Sequence, residues 1–358
     1  MLINLLKVKN ILKKEYEKMS RKKIILLFVI LCLILSFTIT VAAKVGDLRD
    51  LPRPPKPDKS YTIGVSLPHL ANPHFLGHAY GYFEEGKALG VDIILFEAGG
   101  YANIGVQVQQ IEDFISMGVD AIIICATSGE GTRAIVDEAA AAGIPVINTN
   151  VMTNSENVVT RIRSDDSYIG QLQAEYMAKI LNNKGKVIML PGPAGTSWAM
   201  GRSAGFRATI EKSFPDIEIL DEQFCDSDPA AGLTLMEDML LAYPDLEGVM
   251  TGSDFLGVGA AEAIFQAGKS GQIVLTTSDS QQACIDGIKE GKIAATTIQA
   301  PCYMASWGVR AAVMAIEGRE DELAERYWTP IVVCDKSNID TFEFVGLSRP
   351  PDGWKLPK

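Results

Sequence analysis

Residues 118–150 read GVDAIIICATSGEGTRAIVDEAAAAGIPVINTN, and this stretch contains the repeating unit of the fold. Two short apolar runs, 120–126 and 144–150, flank a segment at 131–142 in which the apolar residues have helical spacing. Continuous apolar runs are typical of parallel strands that are covered on both faces. The stretch therefore predicts a strand, a helix and a second strand parallel to the first.

Strands and helices alternate in the same way on both sides of this unit. Further strands are predicted at 61–67, 91–96, 186–192, 217–224, 248–254, 272–279, 292–299 and 327–334. Further helices are predicted near 73–89, 103–117, 167–181, 198–212, 229–243, 255–267, 281–290 and 303–317. This repetition predicts an α/β fold with two doubly wound parallel-sheet halves.

Polar residues follow several of the predicted strands directly. They are His69, Asn72, Thr127, Ser128, Asn150, Asp254, Asp279 and Gln299. Ligands of open α/β sheets bind beyond the carboxyl ends of the strands. Because both halves carry such residues, we expect a polar cleft between two lobes.

The N-terminal region differs in character from the rest of the chain. The whole chain has a net charge of −11. Residues 1–43 carry +6, so residues 44–358 carry −17. The basic cluster at 20–23 and the apolar run that ends at Ala43 predict an export signal, or an uncleaved membrane anchor. Residues 44–60 are interpreted as a proline-rich linker. The acidic body argues against nucleic-acid binding.

The chain has five cysteines outside this N-terminal segment. They are Cys125, Cys225, Cys284, Cys302 and Cys334. Their spacing is long and irregular, so we interpret most of them as buried free thiols with one disulfide at most. No C-x-x-C pair occurs, which argues against a cysteine metal cluster or redox motif.

All three histidines of the chain, His69, His74 and His78, lie within ten residues. His74 and His78 are four residues apart on one helix face, as two metal ligands would be. Further ligands are missing, however, and so is the glutamate of an H-E-x-x-H motif. We therefore predict that the site holds no metal, that His69 or His74 lines an organic pocket, and that His78 is packed or on the surface.

Motifs of enzymes are absent from the sequence. It contains no G-x-S-x-G, no P-loop and no G-x-G-x-x-G after a strand, and the glycine-rich GPAGTSWAMG lacks the lysine of a phosphate site. We predict a protein without catalytic residues or cofactors. A DNA-binding regulator would need a helix-turn-helix before residue 60, where the apolar segment lies.

Several motifs in order identify a family resemblance. They are IGVSLPHLANPHF (63–75), SDDSYIGQL (164–172), GPAGTSWAMGRSAGF (192–206) and TTSDSQQACIDGIKEGKIAATTIQ (276–299). Residues 61–340 resemble the type I periplasmic binding proteins of the ribose-binding group. The resemblance implies two lobes joined by a hinge that closes on a small polar solute, most of all a sugar. It also implies a monomeric, extracytoplasmic or periplasmic protein that delivers this solute to an ABC-type permease.

The family's chain path implies the lobe boundaries. The N-terminal lobe would comprise 61–163 and 301–327, and the C-terminal lobe 164–300 and 328–345, followed by a tail at 346–358. The hinge segments would lie near 163–165, 300–302 and 327–330.

One segment supports an alternative function. EAGGYANIGVQVQQIEDFISMGVDAI (97–122) resembles the branch of the periplasmic trimethylamine N-oxide sensor, and more loosely some autoinducer-2 binding proteins. The alternative is therefore a ligand sensor that signals to a membrane histidine kinase.

The resemblance and the strand-end positions together define a predicted ligand-binding set. Its members are His69, Asn72, His74, Phe75, Tyr101, Asn150, Trp198, Arg202, Ser253, Asp254, Asp279 and Gln299. Five of these keep the residue types of the sugar-binding group: Asn72, Phe75, Arg202, Asp279 and Gln299.

Asp254 also stands where the family expects it, but three other members of the set depart from the family's pattern. His74 stands where the family has a stacking phenylalanine, Asn150 and Val151 replace an Asp–Arg pair, and Ser253 replaces an asparagine. Ribose as the ligand is thereby put in doubt.

Four of these residues have an expected role that their chemistry suggests. Arg202 and Asp279 would orient vicinal hydroxyls, or else form only a structural salt bridge. Asp254 would contact ligand or only cap a helix that begins at Phe255. Trp198 would close over a ligand or over a cationic methyl group, or else would be only a surface aromatic, an alternative that also holds for Tyr101.

Overall fold

The structure, a computed structural model, describes residues 45–47 and 53–357. The predicted signal or anchor at 1–43 lies outside these residues. Within the described ranges, no helix combines the length and the apolar character that crossing a bilayer requires.

The predicted alternation of strands and helices is present from β2 onward, and one further strand, at 160–163, was not predicted. The strands are β1 (Val45–Asp47), β2 (Thr62–Leu67), β3 (Asp92–Glu97), β4 (Ala121–Ile124), β5 (Val146–Thr149), β6 (Thr160–Arg163), β7 (Gly185–Leu190), β8 (Ile217–Glu222), β9 (Gly248–Thr251), β10 (Val274–Ser278), β11 (Ala295–Ile298), β12 (Arg326–Trp328) and β13 (Val332–Asp335). The helices are α1 (Pro73–Leu89), α2 (Ile104–Met117), α3 (Arg133–Ala141), α4 (Asp166–Ile180), α5 (Ser197–Ser213), α6 (Pro229–Ala242), α7 (Asp254–Gln266), α8 (Gln282–Glu290) and α9 (Pro301–Ile316).

The strands form two sheets. One has seven strands in the order β1-β12-β6-β5-β4-β2-β3, and all of its pairs are parallel. The other has six strands in the order β13-β11-β10-β9-β7-β8, and only the edge strand β13 is antiparallel to its neighbour. The α/β class and the two parallel-sheet halves are therefore confirmed.

Helices cover both faces of each sheet, which explains the continuous apolar strands. In β4, Ile123 belongs to the core under α1 and α9, whereas Ile122 and Ile124 belong to the core under α2 and α3. In the six-stranded sheet, the two cores lie under α4 and α5 on one face and under α6, α7 and α8 on the other. Alternate side chains of one strand thus enter opposite cores.

Helices α4 and α5 are packed with their backbones in contact. A Cβ atom added at Gly170 would lie 1.9 Å from the carbonyl oxygen of Arg202, and one added at Gly205 would lie 1.9 Å from that of Ser167. Any side chain at these two positions would force the helices apart.

The single strand predicted at 327–334 is wrong. The segment forms two short strands, β12 in the seven-stranded sheet and β13 in the six-stranded sheet. Between them the amide of Thr329 donates to the carbonyl of Arg163 at 2.9 Å, and Pro330 has no N–H to continue the ladder. The chain therefore leaves one sheet for the other at this point.

The interpretation of residues 44–60 as a linker is wrong in part, because β1 pairs with β12. Beyond it, Arg53 donates from Nε and Nη2 to the buried carboxylate of Glu85, both at 2.7 Å. Arg310 donates to the same carboxylate from α9. The described part of this segment is thus attached to the seven-stranded lobe.

The predicted tail at 346–358 also makes ordered contacts where it is described. The carbonyl of Leu347 accepts from the amide of Cys302 at 3.0 Å, and the ring of Trp354 packs on Tyr80 with centroids 5.6 Å apart. All five cysteines outside the N-terminal segment are free, and four of them are buried, with Cys225 half-buried.

Candidate functional site

All of the predicted ligand-binding residues line one cavity of about 500 Å³ beyond the carboxyl ends of both sets of parallel strands. The side that the seven-stranded lobe contributes, here called the first wall, carries His69, Asn72, His74, Phe75, Tyr101 and Asn150. The side that the six-stranded lobe contributes, here called the second wall, carries Trp198, Arg202, Ser253, Asp254, Asp279 and Gln299.

The first wall is built on the start of α1. Asn72 is the N-cap of this helix, its Oδ1 accepts from the amide of Phe75 at 2.9 Å, and Pro73 follows in the first turn. The cap directs Phe75 against the ring of His69, with centroids 4.5 Å apart, and Tyr101 lies 5.7 Å from His69 in an edge-on arrangement. Three rings therefore form one apolar surface of the cavity.

The polar part of the first wall is uncharged. Nε2 of His74 lies 3.2 Å from Nδ2 of Asn150, which has a left-handed backbone with φ of 58°. Burial lowers the pKa of His74 and of His69. Both imidazoles are accordingly neutral at pH 7 and offer one donor and one acceptor each.

His78 lies behind this wall and is fully buried, so of the two predicted alternatives it is the packed one. Its ring stacks between Phe75 and Tyr82, with centroid distances of 5.7 and 6.0 Å. Burial sets its pKa well below the ordinary value, and neither ring nitrogen has a hydrogen-bond partner among the residues that the structure describes. Among the described residues, no cluster of His, Cys, Asp and Glu is arranged to hold a metal ion.

Arg202 is the centre of the second wall, and it is only 4% exposed. Its Nε donates to Oδ1 of Asp166 at 3.3 Å, and Nη1 donates to the carbonyl of Gly252. Nη1 also lies 3.8 Å from Oδ2 of Asp279. The indole of Trp198 lies against the guanidinium, 5.2 Å from ring centroid to Cζ.

Asp279 follows β10 with a left-handed backbone, φ being 85°. Its amide donates to the carbonyl of Thr297 at 3.0 Å, and its Oδ1 accepts from Nε2 of Gln299. A non-glycine residue in this region costs about 1–3 kcal/mol and is typical of functional sites. The strained turn therefore holds a carboxylate between an arginine and an amide at the cavity surface.

Asp254 does not cap a helix that begins at Phe255, so that alternative was wrong. The helix begins at Asp254 itself, with Ser253 in the N-cap position. The Asp254 carboxylate accepts from the amide of Gln281 at 2.6 Å and from its Nε2 at 2.8 Å. The pKa of Asp254 is raised to about 8, mainly by burial and secondly by the negative charge of the nearby Asp279.

Asp166 was not predicted; it does not line the cavity but contacts Arg202 from within the six-stranded lobe. Asp165 is the N-cap of α4, where it accepts from the amide of Tyr168 at 3.1 Å. Only one of two adjacent aspartates can take the N-cap position, so the pair itself was a signal that Asp166 has another partner. Three residues outside the predicted set, Asp226, Ser227 and Gln281, also line the cavity.

A family profile and a known protein both match most of this chain in sequence. The sequence profile of the periplasmic binding protein domain matches residues 63–320. The ribose import binding protein of Bacillus subtilis is 30% identical over 262 residues, which cover 73% of this chain and 84% of that protein.

Two solved structures are similar over most of the chain. A substrate-binding protein of a sugar ABC transport system from Bordetella parapertussis has a TM-score of 0.79 at 27% identity and covers 86% of this chain and 99% of its own. An ABC transporter solute-binding protein from Actinobacillus succinogenes, with bound D-allose, has a TM-score of 0.74 at 25% identity and covers 79% of this chain and 100% of its own.

Proposed function

This chain belongs to the periplasmic binding protein family, and on that premise we propose that it captures a sugar or a similar polyhydroxylated solute and delivers it to an ABC-type permease. One observation carries the proposal. The Arg202–Asp279 pair of the second wall faces the ring surface of Phe75, His69 and Tyr101 across a single cavity.

A sugar needs both kinds of surface. Vicinal hydroxyls pair with the planar donors of a guanidinium and with the two oxygens of a carboxylate. The C–H face of the sugar ring packs on aromatic side chains. The first wall supplies the apolar surface and the second wall the charged partners, so one ligand would contact both lobes.

Hinge closure follows from a ligand that bridges two lobes. The chain passes between the sheets after β6, after β11 and between β12 and β13. We propose that these crossings are the hinge and that the lobes are 61–163 with 301–327 and 164–300 with 328–345. Ligand would stabilise the closed arrangement because only this arrangement contacts it from both sides.

The comparisons favour transport over sensing. The relative from Bacillus subtilis is an import protein, and both structural neighbours belong to ABC transport systems. The family consists of extracytoplasmic binding proteins and not of enzymes. We therefore propose a non-catalytic protein whose partner is a permease, and not a histidine kinase.

Calorimetry of the purified protein tests the proposal. D-ribose, D-allose and trimethylamine N-oxide are titrated separately, and any molecule that co-purifies is identified by mass spectrometry after denaturation. We expect one-to-one binding of a sugar. Binding of trimethylamine N-oxide with no response to any sugar would instead support the sensor alternative.

A further inference from the structure

Asp166 connects the cavity with the first crossing between the sheets. Its Oδ1 accepts from Nε of Arg202 at 3.3 Å, and its Oδ2 accepts from Nη2 of Arg163. The side chains of Arg202, Asp166 and Arg163 are 5%, 10% and 17% exposed. Both ion pairs are therefore largely shielded from water.

The ion pair of Arg163 with Asp166 spans the proposed hinge. Arg163 is the last residue of β6 in the seven-stranded sheet, and Asp166 is the first residue of α4 in the other lobe. Only residues 164 and 165 lie between them. Rotation about this crossing would change the distance between the two charges.

Arg163 is fixed to a second crossing as well. Its carbonyl accepts from the amide of Thr329 at 2.9 Å, and its Cζ lies 5.8 Å from the ring centroid of Trp328. The hydroxyls of Ser164 and Thr329 lie 2.7 Å apart. The guanidinium of Arg163 thus belongs to a cluster that includes two of the three crossings.

Asp166 is fixed to Arg202 in turn. The two residues lie on α4 and α5, whose backbones are in contact through Gly170 and Gly205. This packing leaves the two helices little freedom to move relative to each other. Arg163 is therefore the partner of Asp166 whose position depends on the hinge.

We propose that Asp166 is a positioning residue that couples the hinge to the ligand-facing guanidinium, an inference that rests on the proposed function. With Arg163 paired, Asp166 holds the Nε edge of Arg202 and leaves its Nη1 toward Asp279 and the cavity. Without Arg163, the Asp166 carboxylate keeps only one arginine partner in the described part of the chain, Arg202. It would then pull the Arg202 guanidinium away from Asp279. Closure of the hinge therefore occurs together with the orientation of Arg202 in which Nη1 faces Asp279 and the cavity.

A double-mutant cycle tests this coupling in calorimetry, and the titrant is D-ribose or D-allose, whichever binds the unchanged protein more tightly. Arg163 does not line the cavity, yet we expect Arg163→Gln to weaken binding about tenfold, within the usual range of coupling between sites. Asp166→Asn should weaken it about thirtyfold. The double variant should be no weaker than Asp166→Asn alone, because both changes break the same connection.

Glu156→Gln is the matched control. It removes the carboxylate partner of Arg161, another arginine of β6, whose Nη2 lies 3.2 Å from Glu156 Oε2. We expect its affinity to equal that of the unchanged protein. Additive losses in the double variant, or a lower melting temperature with unchanged affinity for Arg163→Gln, would show a purely structural role and overturn the inference.

A ligand-free measurement separates this inference from the proposed function. In protein with ¹⁵N-labelled arginine, the Nε–H of Arg202 should exchange slowly with water and should shift in Arg163→Gln. Asp166→Asn should abolish the slow exchange. An Arg202 signal that does not respond to Arg163→Gln overturns the coupling, whereas a normal response with no sugar binding overturns only the proposed function.

Discussion

The two walls of the cavity differ in how their side chains are held. In the first wall, rings pack edge-on and one amide contacts a neutral imidazole, so no charge fixes the arrangement. In the second wall, Arg202 has fixed partners in Asp166 and Gly252 and is close to Asp279. The second wall would therefore fix the orientation of a ligand, and the first wall would fit its shape.

The largest expected effect comes from breaking the second wall at Asp279. Asparagine tolerates a left-handed backbone, so Asp279→Asn removes the charge without adding strain. The change leaves Arg202 with Asp166 as its one carboxylate partner among the described residues and removes the Asp279 carboxylate from the ligand. Loss of one partner of a desolvated charge pair costs about 2–5 kcal/mol, so sugar binding should weaken about a hundredfold or more.

Calorimetry and thermal melting of the same Asp279→Asn protein distinguish a ligand-binding role of Asp279 from a structural one. We expect the melting temperature to change little, since the side chain is partly exposed to the cavity. Unchanged affinity together with a large loss of melting temperature would make Asp279 a structural residue only.

The next largest effect is a dependence of stability on pH that comes from Asp254 in the second wall. The folded pKa of Asp254, about 8, lies above the ordinary value of 3.8. Between these values the folded protein binds more protons than the unfolded chain, so stability falls as pH rises. From pH 5 to pH 7 this amounts to about 3 kcal/mol, and Asp254→Asn should remove that slope.

Urea unfolding at intervals between pH 4 and pH 9 measures this slope in both proteins. Equal slopes would mean that Asp254 is ionised in the folded protein throughout the range. His74 serves as the contrast from the first wall, because a pKa that burial lowers below 6.5 makes stability rise with pH near that value, opposite in sign to the effect of Asp254.

A smaller effect is expected from the first wall. Tyr101→Phe keeps the ring that packs against His69 and removes only a hydroxyl at the cavity surface. A neutral hydrogen bond contributes about 0.5–1.5 kcal/mol, so affinity should fall about threefold to tenfold. A loss as large as that of Asp279→Asn would contradict the division of labour between the walls.

The smallest effect concerns a charge outside both walls. Arg53→Gln leaves Glu85 paired with Arg310, and the Arg53 side chain is 54% exposed. Unfolding should become easier by about 0.5 kcal/mol, as for other exposed pairs, with sugar affinity unchanged. Chemical denaturation and calorimetry test the two parts, and weaker sugar binding would show that the N-terminal segment influences the cavity.

Much of the fold was predictable because apolar periodicity reports burial directly. The strands and helices from β2 to α9, except β6, were recognised on that basis. The strand-end positions predicted which residues meet at the cavity. Strand β1 was missed because three residues within a proline-rich stretch show no periodicity. The division of 327–334 was missed because both strands are apolar and differ only in the sheet they join.

The cavity residues were predicted by position, but their partners were not. Asp254 accepts from Gln281, which is 27 residues away in sequence, and Asp166 accepts from Arg202, 36 residues away. Contacts of this kind depend on how segments that are distant in sequence meet in space. The adjacent aspartates at 165 and 166 were the one local sign of such a contact.

The backbone contact between α4 and α5 also bears on how this protein can change its ligand over evolution or in engineering. Substitutions at Gly170 or Gly205 would displace Arg202 and abolish binding of every ligand alike. Residues such as His69, His74 and Tyr101 have no equivalent constraint and can be exchanged one at a time. New specificities should therefore arise by mutation of the first wall, and libraries for selecting them are best restricted to it.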